Sequence, residues 1–370
     1  FPGEEERIDP DSMTPPWDNG PLNANIVRDL PTTFGPLSGS LPHQVKVHFY
    51  GELVGSYNIT YTLSPNPPVP VELWIIPPAD LADWRPIGNK NEKTRGDFVP
   101  VTVKLQKPGG GDPQFKAIRF TYRLKNVSRE KGVCMNAPRI PDSNNPFDMQ
   151  FESELNTDYD IIGPDRQVAV QSSNVDMTEG AVQVSVFDYG ATGELEVFAE
   201  LKNGQVVYGK VQGTGEDVLK LPQRTGDSLV ADVFKKNLNN PPDEDDSEDD
   251  PVGDGFKGDG LSLFEEYRGF IHGDYWMMAD PKKKDVFILN QMRGNPMVQR
   301  GINVFEAATK LKVHRLFKDD QVNGDMVVNF HSNPKNHMID QHVIRIKAAR
   351  TVASGQGSAF VEKVGTPGTA

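Results

Sequence analysis

The chain has 370 residues, a formal net charge of −13 and one cysteine, Cys134, and 36% of its residues are hydrophobic. This length suits two or three domains rather than one. The acidic excess argues against a nucleic-acid or anionic-membrane partner, which would need clustered lysine and arginine. A lone cysteine excludes an intramolecular disulfide and a cysteine-based zinc site, and no apolar run approaches the ~18 residues of a transmembrane helix.

Residues 1–42 are rich in proline, glycine and acidic residues, and the recurring prolines prevent a helix. We therefore expect an extended, proline-rich N-terminal arm. Its apolar side chains exceed what a solvated tail needs and suit strand addition to a sheet, either its own or a neighbour's. They are Ile26, Val27, Leu30, Phe34 and Leu37. The chain opens at Phe1 without an initiator methionine or signal peptide, as a processed secreted protein or a fragment would.

Two β-rich segments follow the arm. Alternation begins at Gln44, and similar runs separated by Gly- and Pro-bearing turns predict an immunoglobulin-like β-sandwich over residues 43–130. After an irregular connector, the runs AVQVSVF and ELEVFAEL predict a second small β-domain over residues 131–225. Asn203-Gly204 is the expected two-residue hairpin turn, because both positions tolerate φ > 0.

Two N-glycosylation sequons occur in the first β-segment, at Asn58-Ile59-Thr60 and Asn126-Val127-Ser128. The acceptor asparagines are therefore glycosylation candidates. They matter only if the producing cell has the glycosylation machinery.

Residues 226–270 combine a short predicted helix, Ser228–Lys236, with an acidic linker and a glycine-rich loop. Asp243–Asp250 carries seven carboxylates in eight residues, which repel one another when unscreened. A bound divalent cation would relieve that repulsion and order the segment. A solvated acidic linker is the alternative for this run taken alone.

The stretch GDGFKGDGLSLFEEYRGF has the spacing of an EF-hand-like calcium loop followed by a helix. Asp259 falls at the fifth position, Gly260 at the sixth, where the chain turns sharply, and Glu266 at the twelfth, the usual bidentate ligand. Gly255 and Lys257 occupy the first and third positions, where Asp or Asn is expected.

The candidate calcium ligands are therefore Asp254, which lies one residue out of register, together with Asp259, Glu265 and Glu266. We predict that they bind Ca²⁺, with help from Asp243–Asp250. The alternatives are a dead loop and an acidic turn whose carboxylates suit the positive N-terminal end of the following helix.

The last segment, residues 271–370, changes pattern. A buried strand, DVFILN, precedes a helix, GINVFEAATKL, and KVHRLF, DMVVNF and QHVIRIKAA read as further strands, which predicts a small α+β domain. His314, His331, His337 and His342 cluster here, but neither HExxH nor G-x-S-x-G occurs. No catalytic residue is therefore predicted.

The segment GDGLSLFEEYRGF also resembles an element of large secreted or surface bacterial proteins of mostly uncharacterised function. In these proteins a DGL-x-x-x-EEYRGF element follows β-rich modules and is similar to the calcium loops of thrombospondin type 3 repeats. The stretch DPKKKDVFILN, Asp280–Asn290, resembles the same group, and the resemblance spans roughly residues 225 to 350. It implies an extracellular module stabilised by calcium.

The predicted fold is mainly β, with two immunoglobulin-like β-sandwich modules followed by a calcium-loop element and a small α+β domain. The predicted function is an extracellular or cell-surface, non-catalytic structural protein, stabilised by Ca²⁺ and self-associating head to tail as a surface, appendage or filament subunit. The first alternative is the N-terminal portion of a secreted zinc metallopeptidase whose HExxH helix is not in this chain. The second is a soluble extracellular module that binds carbohydrate or protein.

Overall fold

The computed structural model describes residues 37–49, 52–63, 70–91, 93–138, 147–253, 255–318 and 321–348, the first two ranges by their backbone. Within these ranges the chain forms 17 strands and three helices, which confirms a mainly β protein. It divides into two compact units, Phe1–Pro67 and Pro68–Ala370. No helix in the described part is long and apolar enough to cross a membrane.

The first unit contains an antiparallel hairpin formed by β1, Leu37–Phe49, and β2, Glu52–Leu63. Pairing runs from Leu37 opposite Leu63 to Phe49 opposite Glu52, with irregular register between Leu41 and Val45. Leu37, which the sequence assigns to the arm, is therefore the first residue of a strand that begins seven residues before Gln44. The other four apolar residues of the predicted arm lie outside the described residues.

The second unit is built on one ten-stranded sheet. Its strands are β3 Glu72–Ile76, β4 Asp97–Gln106, β5 Ala117–Lys125, β6 Met149–Phe151, β7 Asp160–Ile162, β8 Val168–Met177, β9 Glu179–Val186, β10 Gly193–Leu201, β11 Val206–Val211 and β12 Leu219–Leu221. The order is β6-β9-β4-β3-β11-β10-β5-β8-β7, with β12 paired to the start of β10. Only β3 and β11 pair in parallel among these described strands.

This topology joins the two segments that the sequence separates into modules. β4 of the first segment pairs with β9 of the second, and β5 pairs with both β8 and β10. The division at residue 130 therefore does not separate two sheets. Alternation shows which face of a strand is buried, but it carries no information about which strand lies alongside.

The alternation predicted for these runs is present in the burial of their strands. β4 alternates strictly, with Val99, Val101, Val103 and Leu105 buried, and the inward positions of β10 alternate in the same way. Burial of each such side chain stabilises the fold by roughly 1.5–3 kcal/mol. The inward side chains of these strands belong to the main hydrophobic core.

The sheet is nearly closed, because a single connection links its two end strands. β6 pairs with β9 and β7 pairs with β8, so the first and last strands of the order are separated by only residues 152–159. The Asn156 amide donates to the backbone oxygens of Glu152 at 2.9 Å and Gln183 at 3.0 Å. The Ser185 hydroxyl donates to the Glu152 carboxylate at 2.6 Å, which holds the connection against β9.

The remaining elements are short and mixed. They are α1 Asp232–Lys235, α2 Leu263–Arg268, β13 Phe270–His272, β14 Tyr275–Met277, β15 Asp285–Asn290, α3 Pro296–Thr309, β16 Lys312–Leu316 and β17 Ile344–Ile346. β13 and β14 form a hairpin, and the three later strands form a parallel sheet in the order β16-β15-β17. The predicted α+β character of this part is therefore present, with α3 packing on the sheet through Ile302.

Two elements of this part differ from the sequence prediction. α3 begins at Pro296 rather than Gly301, because the Asn295 side chain caps it by accepting hydrogen bonds from the backbone N–H groups of Met297 and Val298. The run DMVVNF is not a strand. It contributes a single isolated bridge, between Val327 and His342.

Candidate metal centre

Helix α2 begins with a capping box. The Ser262 hydroxyl accepts from the backbone N–H of Glu265, and the Glu265 carboxylate accepts from the backbone N–H of Ser262 at 2.9 Å. All six residues of the helix are buried, including both glutamates. This brings two adjacent carboxylates into the interior on different sides of the helix, and their surroundings differ.

Glu265 is fully satisfied by protein groups. Beyond the cap, its other oxygen accepts from the Asn329 amide at 3.0 Å and lies 3.0 Å from Nδ1 of His337. The same contact raises the pKa of His337 through hydrogen bonding to the Glu265 carboxylate. Glu265 therefore joins α2 to the loop 329–337 and lies outside the acidic cluster described below.

The acidic run folds over the start of α2 rather than extending into solvent. Asp243 accepts from the Ser228 hydroxyl at 2.7 Å and from the Lys235 ammonium at 2.8 Å. The backbone oxygen of Asp245 accepts from the N–H of Leu263 at 2.8 Å. These bonds fix the first part of the run, so the carboxylates that follow it are held beside the glycine-rich loop.

Three of those carboxylates meet. Asp246, Glu248 and Asp259 each place one oxygen within 4.8 Å of the others, and they form the acidic cluster. Asp246 accepts from the backbone N–H of Asp259 at 2.9 Å and from that of Gly260 at 3.1 Å. Gly260 has φ +95°, a conformation that side chains rarely adopt, so the sharp turn predicted at this glycine is present.

Glu266 is a further buried carboxylate, and its pKa responds to the charges of all three residues of the acidic cluster. Its side chain is 2% exposed, and its Oε1 atom is buried without a hydrogen-bond partner in the described part of the chain. Glu248 and Glu266 both line a cavity of about 260 Å³, and Glu248 also has a buried oxygen with no described partner. A buried carboxylate oxygen is costly to leave unpaired, and a bound cation is one partner that this arrangement could hold.

The electrostatics of the cluster point the same way. Burial, followed by the negative charge of Asp259, raises the pKa of Glu248 to about 8. Burial also raises the pKa of Asp259 to about 7. Burial and the charges of Glu248, Asp259, Asp285 and Asp246 raise the pKa of Glu266 well above its ordinary value. Without a cation these groups hold protons that a divalent ion would displace.

A second layer of polar groups supports Asp259 from behind. The backbone N–H of Asp285 donates to the Asp259 carboxylate, and the Asp285 carboxylate contacts Nε2 of His314. Both Asp285 and His314 are buried at the start of the parallel strands β15 and β16. The orientation of Asp259 is thus tied to the last part of the chain.

The donor set suits a hard divalent cation. All four carboxylates offer oxygen, which Ca²⁺ and Mg²⁺ prefer, whereas zinc sites usually include nitrogen or sulfur ligands. Ca²⁺ accepts six to eight oxygens in flexible geometry, and the residues that would hold it are Asp246, Glu248, Asp259 and Glu266.

The candidate residues of the sequence analysis are distributed unevenly around this site. Asp259 and Glu266 belong to it, Glu265 makes the structural contacts above, and Asp254 lies outside the described residues. Asp246 and Glu248 come from the acidic run that was expected only to assist. Among the described residues this is the one group of three or more His, Cys, Asp or Glu that could hold a metal, and no histidine belongs to it.

The glycosylation candidates also differ in what is seen of them. Asn126 is exposed at the end of β5 in a left-handed conformation, φ 49°, and its amide donates to Glu194 at 2.7 Å. Asn58 lies in β2, where the backbone alone is described.

Comparison with known proteins adds only distant likenesses. No family model and no curated protein matches the chain. It is similar to the human F-spondin reeler domain with a TM-score of 0.25 and 12% identity, over 42% of this chain and 88% of that one. It is also similar to the Yersinia pseudotuberculosis adhesin InvE, with a TM-score of 0.21, 16% identity and coverage of 49% and 41%. Such scores carry no argument about function.

Proposed function

We propose that the chain is an extracellular, non-catalytic structural protein in which Ca²⁺ holds the acidic run, the glycine-rich loop and helix α2 together. The observation that carries the proposal is Glu266, a buried carboxylate with an unpartnered oxygen beside three other carboxylates. The calcium loop suggested by the spacing of Asp259 and Glu266 is part of this proposal. The immunoglobulin-like character of the two β-segments stays a prediction.

The kind of site supports an extracellular setting for the protein. Calcium sites of extracellular modules bind with Kd values of about 10⁻⁴–10⁻³ M, because calcium is abundant there. The acidic cluster is partly exposed and its ligands must lose protons before binding, both of which favour affinity in that range rather than tighter binding.

The structural role includes assembly through strand contacts. The two-stranded sheet β1-β2 has both outer edges unpaired among the described residues, and each strand has 12 or 13 residues. The end strands β6 and β7 of the large sheet have three residues each. The long hairpin edges therefore suit an added strand better than the large sheet does, and the N-terminal arm is the donor we propose.

Calcium titration tests the proposal. We expect calorimetry on metal-free protein to show saturable Ca²⁺ binding, weaker Mg²⁺ binding because Mg²⁺ demands a tighter octahedral shell, and a melting temperature that rises with calcium. Identical melting curves in calcium and in chelator, together with no heat of binding, would remove the basis of the proposed function.

A further inference from the structure

A surface cleft of about 350 Å³ lies between the β3–β4 connection and the β13–β14 hairpin. Its lining combines two indole rings with charged groups of both signs: Trp84, Trp276, Asp80, Asp83, Asp97 and Arg85. Concave sites with aromatic walls and a few converging polar groups are typical of small-molecule binding.

Both indole rings are fixed by the protein. Nε1 of Trp84 donates to the Asp97 carboxylate at 3.0 Å, and Nε1 of Trp276 donates to the backbone oxygen of Arg268 at 2.9 Å. Trp276 is also stacked on Tyr189, with ring centroids 4.4 Å apart and an interplanar angle of 8°. Since the indole N–H groups are already used, the rings offer a ligand apolar and cation-binding surface rather than hydrogen-bond donors.

The charges of the cleft are not paired with one another. Among the described residues Arg85 forms no ion pair, and its recorded hydrogen bond is to the thioether of Met278 at 3.3 Å, a weak acceptor. Asp80 and Asp83 are exposed and likewise form no ion pair in the described part of the chain. The cleft therefore offers carboxylates and ring faces that attract a cation, and one guanidinium that attracts an anion.

We propose that this cleft binds a small zwitterion, with an ammonium group over the Trp84 and Trp276 rings near the aspartates and a carboxylate or phosphate at Arg85. A neutral apolar ligand would use the indoles but leave the charges without partners. A simple cation would satisfy the aspartates and leave Arg85 unused. A ligand carrying both charges is the class that engages all the groups in the lining.

Four probes separate these classes: phosphocholine, choline, the neutral choline isostere 3,3-dimethyl-1-butanol, and glucose. Each is titrated calorimetrically into the full chain in calcium. We expect phosphocholine to bind about tenfold more tightly than choline, because Arg85 adds a charge-assisted bond, and choline to bind more tightly than the isostere. Equal binding of choline and the isostere, tighter binding of glucose, or no binding of phosphocholine would overturn the proposal.

Variants assign the contacts. Arg85→Gln is expected to lower phosphocholine affinity about tenfold to the level of choline while leaving choline binding unchanged. Asp83→Asn, an exposed change that the fold tolerates, is expected to weaken both ligands, and Trp84→Phe to weaken both about threefold. Lys93→Gln, an exposed cation outside the cleft lining, is the matched control. Unchanged phosphocholine affinity in Arg85→Gln would contradict the assignment of the anionic end.

The cleft lining shares no residue with the acidic cluster, so ligand binding to the cleft and metal binding can be tested separately. Glu266→Gln is expected to leave phosphocholine affinity unchanged, because Glu266 is not part of the cleft lining. Loss of calcium binding with retained phosphocholine binding, or the reverse, distinguishes failure of one proposal from failure of the other.

Discussion

Asp246 and Asp259 lie 13 residues apart in the chain, yet the backbone N–H of Asp259 donates to the Asp246 carboxylate at 2.9 Å. The acidic run and the glycine-rich loop are therefore one structural unit. Each supplies carboxylates to the same cluster, and the run that could have been a solvated linker is instead folded against the helix that the loop precedes.

Glu266→Gln is predicted to have opposite effects in the two metal states. In chelator it removes a buried side chain that must take up a proton when the protein folds at neutral pH, so the melting temperature should rise. In calcium it removes a ligand, so the stabilisation by calcium, about 2.7 kcal/mol at about 100 times Kd, should largely vanish. Thermal melts in both conditions check this. Glu244→Gln, which changes an exposed acid of the same run, is the control and should leave both melting temperatures unchanged. If calcium raises the melting temperature of Glu266→Gln as much as that of the unmodified protein, Glu266 is not a ligand.

The stabilisation by calcium should depend on pH. Glu248 and Asp259 have folded-state pKa values of about 8 and about 7, above their ordinary values of 4.5 and 3.8. In the metal-free protein their contribution to the free energy of unfolding is greatest below about pH 4. It is lost as the pH rises through about 7 to 8, where the folded protein gives up these protons. Calcium binds the ionised forms, so the melting-temperature difference between calcium and chelator should grow from about pH 5 to about pH 8. A difference that is flat or shrinks over this window contradicts the site.

Glu265→Ala is predicted to destabilise the fold without changing calcium binding. The change removes the capping box and one of the two hydrogen bonds that the Asn329 amide donates, which together should cost about 3 kcal/mol. Urea unfolding gives the loss, and calorimetry gives the calcium affinity. A selective loss of calcium binding with unchanged stability would instead place Glu265 among the ligands.

Catalysis of the zinc-peptidase type is not expected. A metallopeptidase needs two histidines and a carboxylate on one metal, and His314, His331 and His337 each contact a different carboxylate or carbonyl group. Metal analysis after purification and casein hydrolysis with and without chelator are the measurements. Stoichiometric zinc accompanied by chelator-sensitive hydrolysis would revive the peptidase alternative.

Deletion of residues 1–36 is predicted to abolish self-association while retaining the fold, because the cut leaves the hairpin from Leu37 intact. Size-exclusion chromatography with light scattering and electron microscopy of both forms measure this. Replacing Ile26 and Phe34 by serine in the full chain is the milder version and should weaken assembly by removing apolar contacts. A full-length protein that stays monomeric at high concentration would contradict the arm as donor.

The sequence was most informative where the pattern is local. Strand faces such as that of Val99, Val101 and Val103 follow from alternation alone, and the spacing of the loop located Asp259 of the acidic cluster and the buried Glu266. Strand partners could not be read, because pairing of β4 with β9 depends on contacts about 80 residues apart. Glu265 and Glu266 are adjacent residues of the same type, so the sequence cannot distinguish them. They differ in the groups that surround them: Glu265 contacts Asn329 and His337, whereas Glu266 responds to the charges of the acidic cluster.

The connection 152–159 between β6 and β7 has a consequence for how the protein would fail. It holds the two ends of the large sheet near each other, and Asn156 and Ser185 secure it to the rest of the sheet. A proteolytic cut there would loosen both three-residue end strands and uncover the segments that they pair with, Val168–Val170 of β8 and Val184–Val186 of β9. Exposed edges of that kind recruit strands from other molecules, so damage to this one short connection would make the large sheet prone to aggregation.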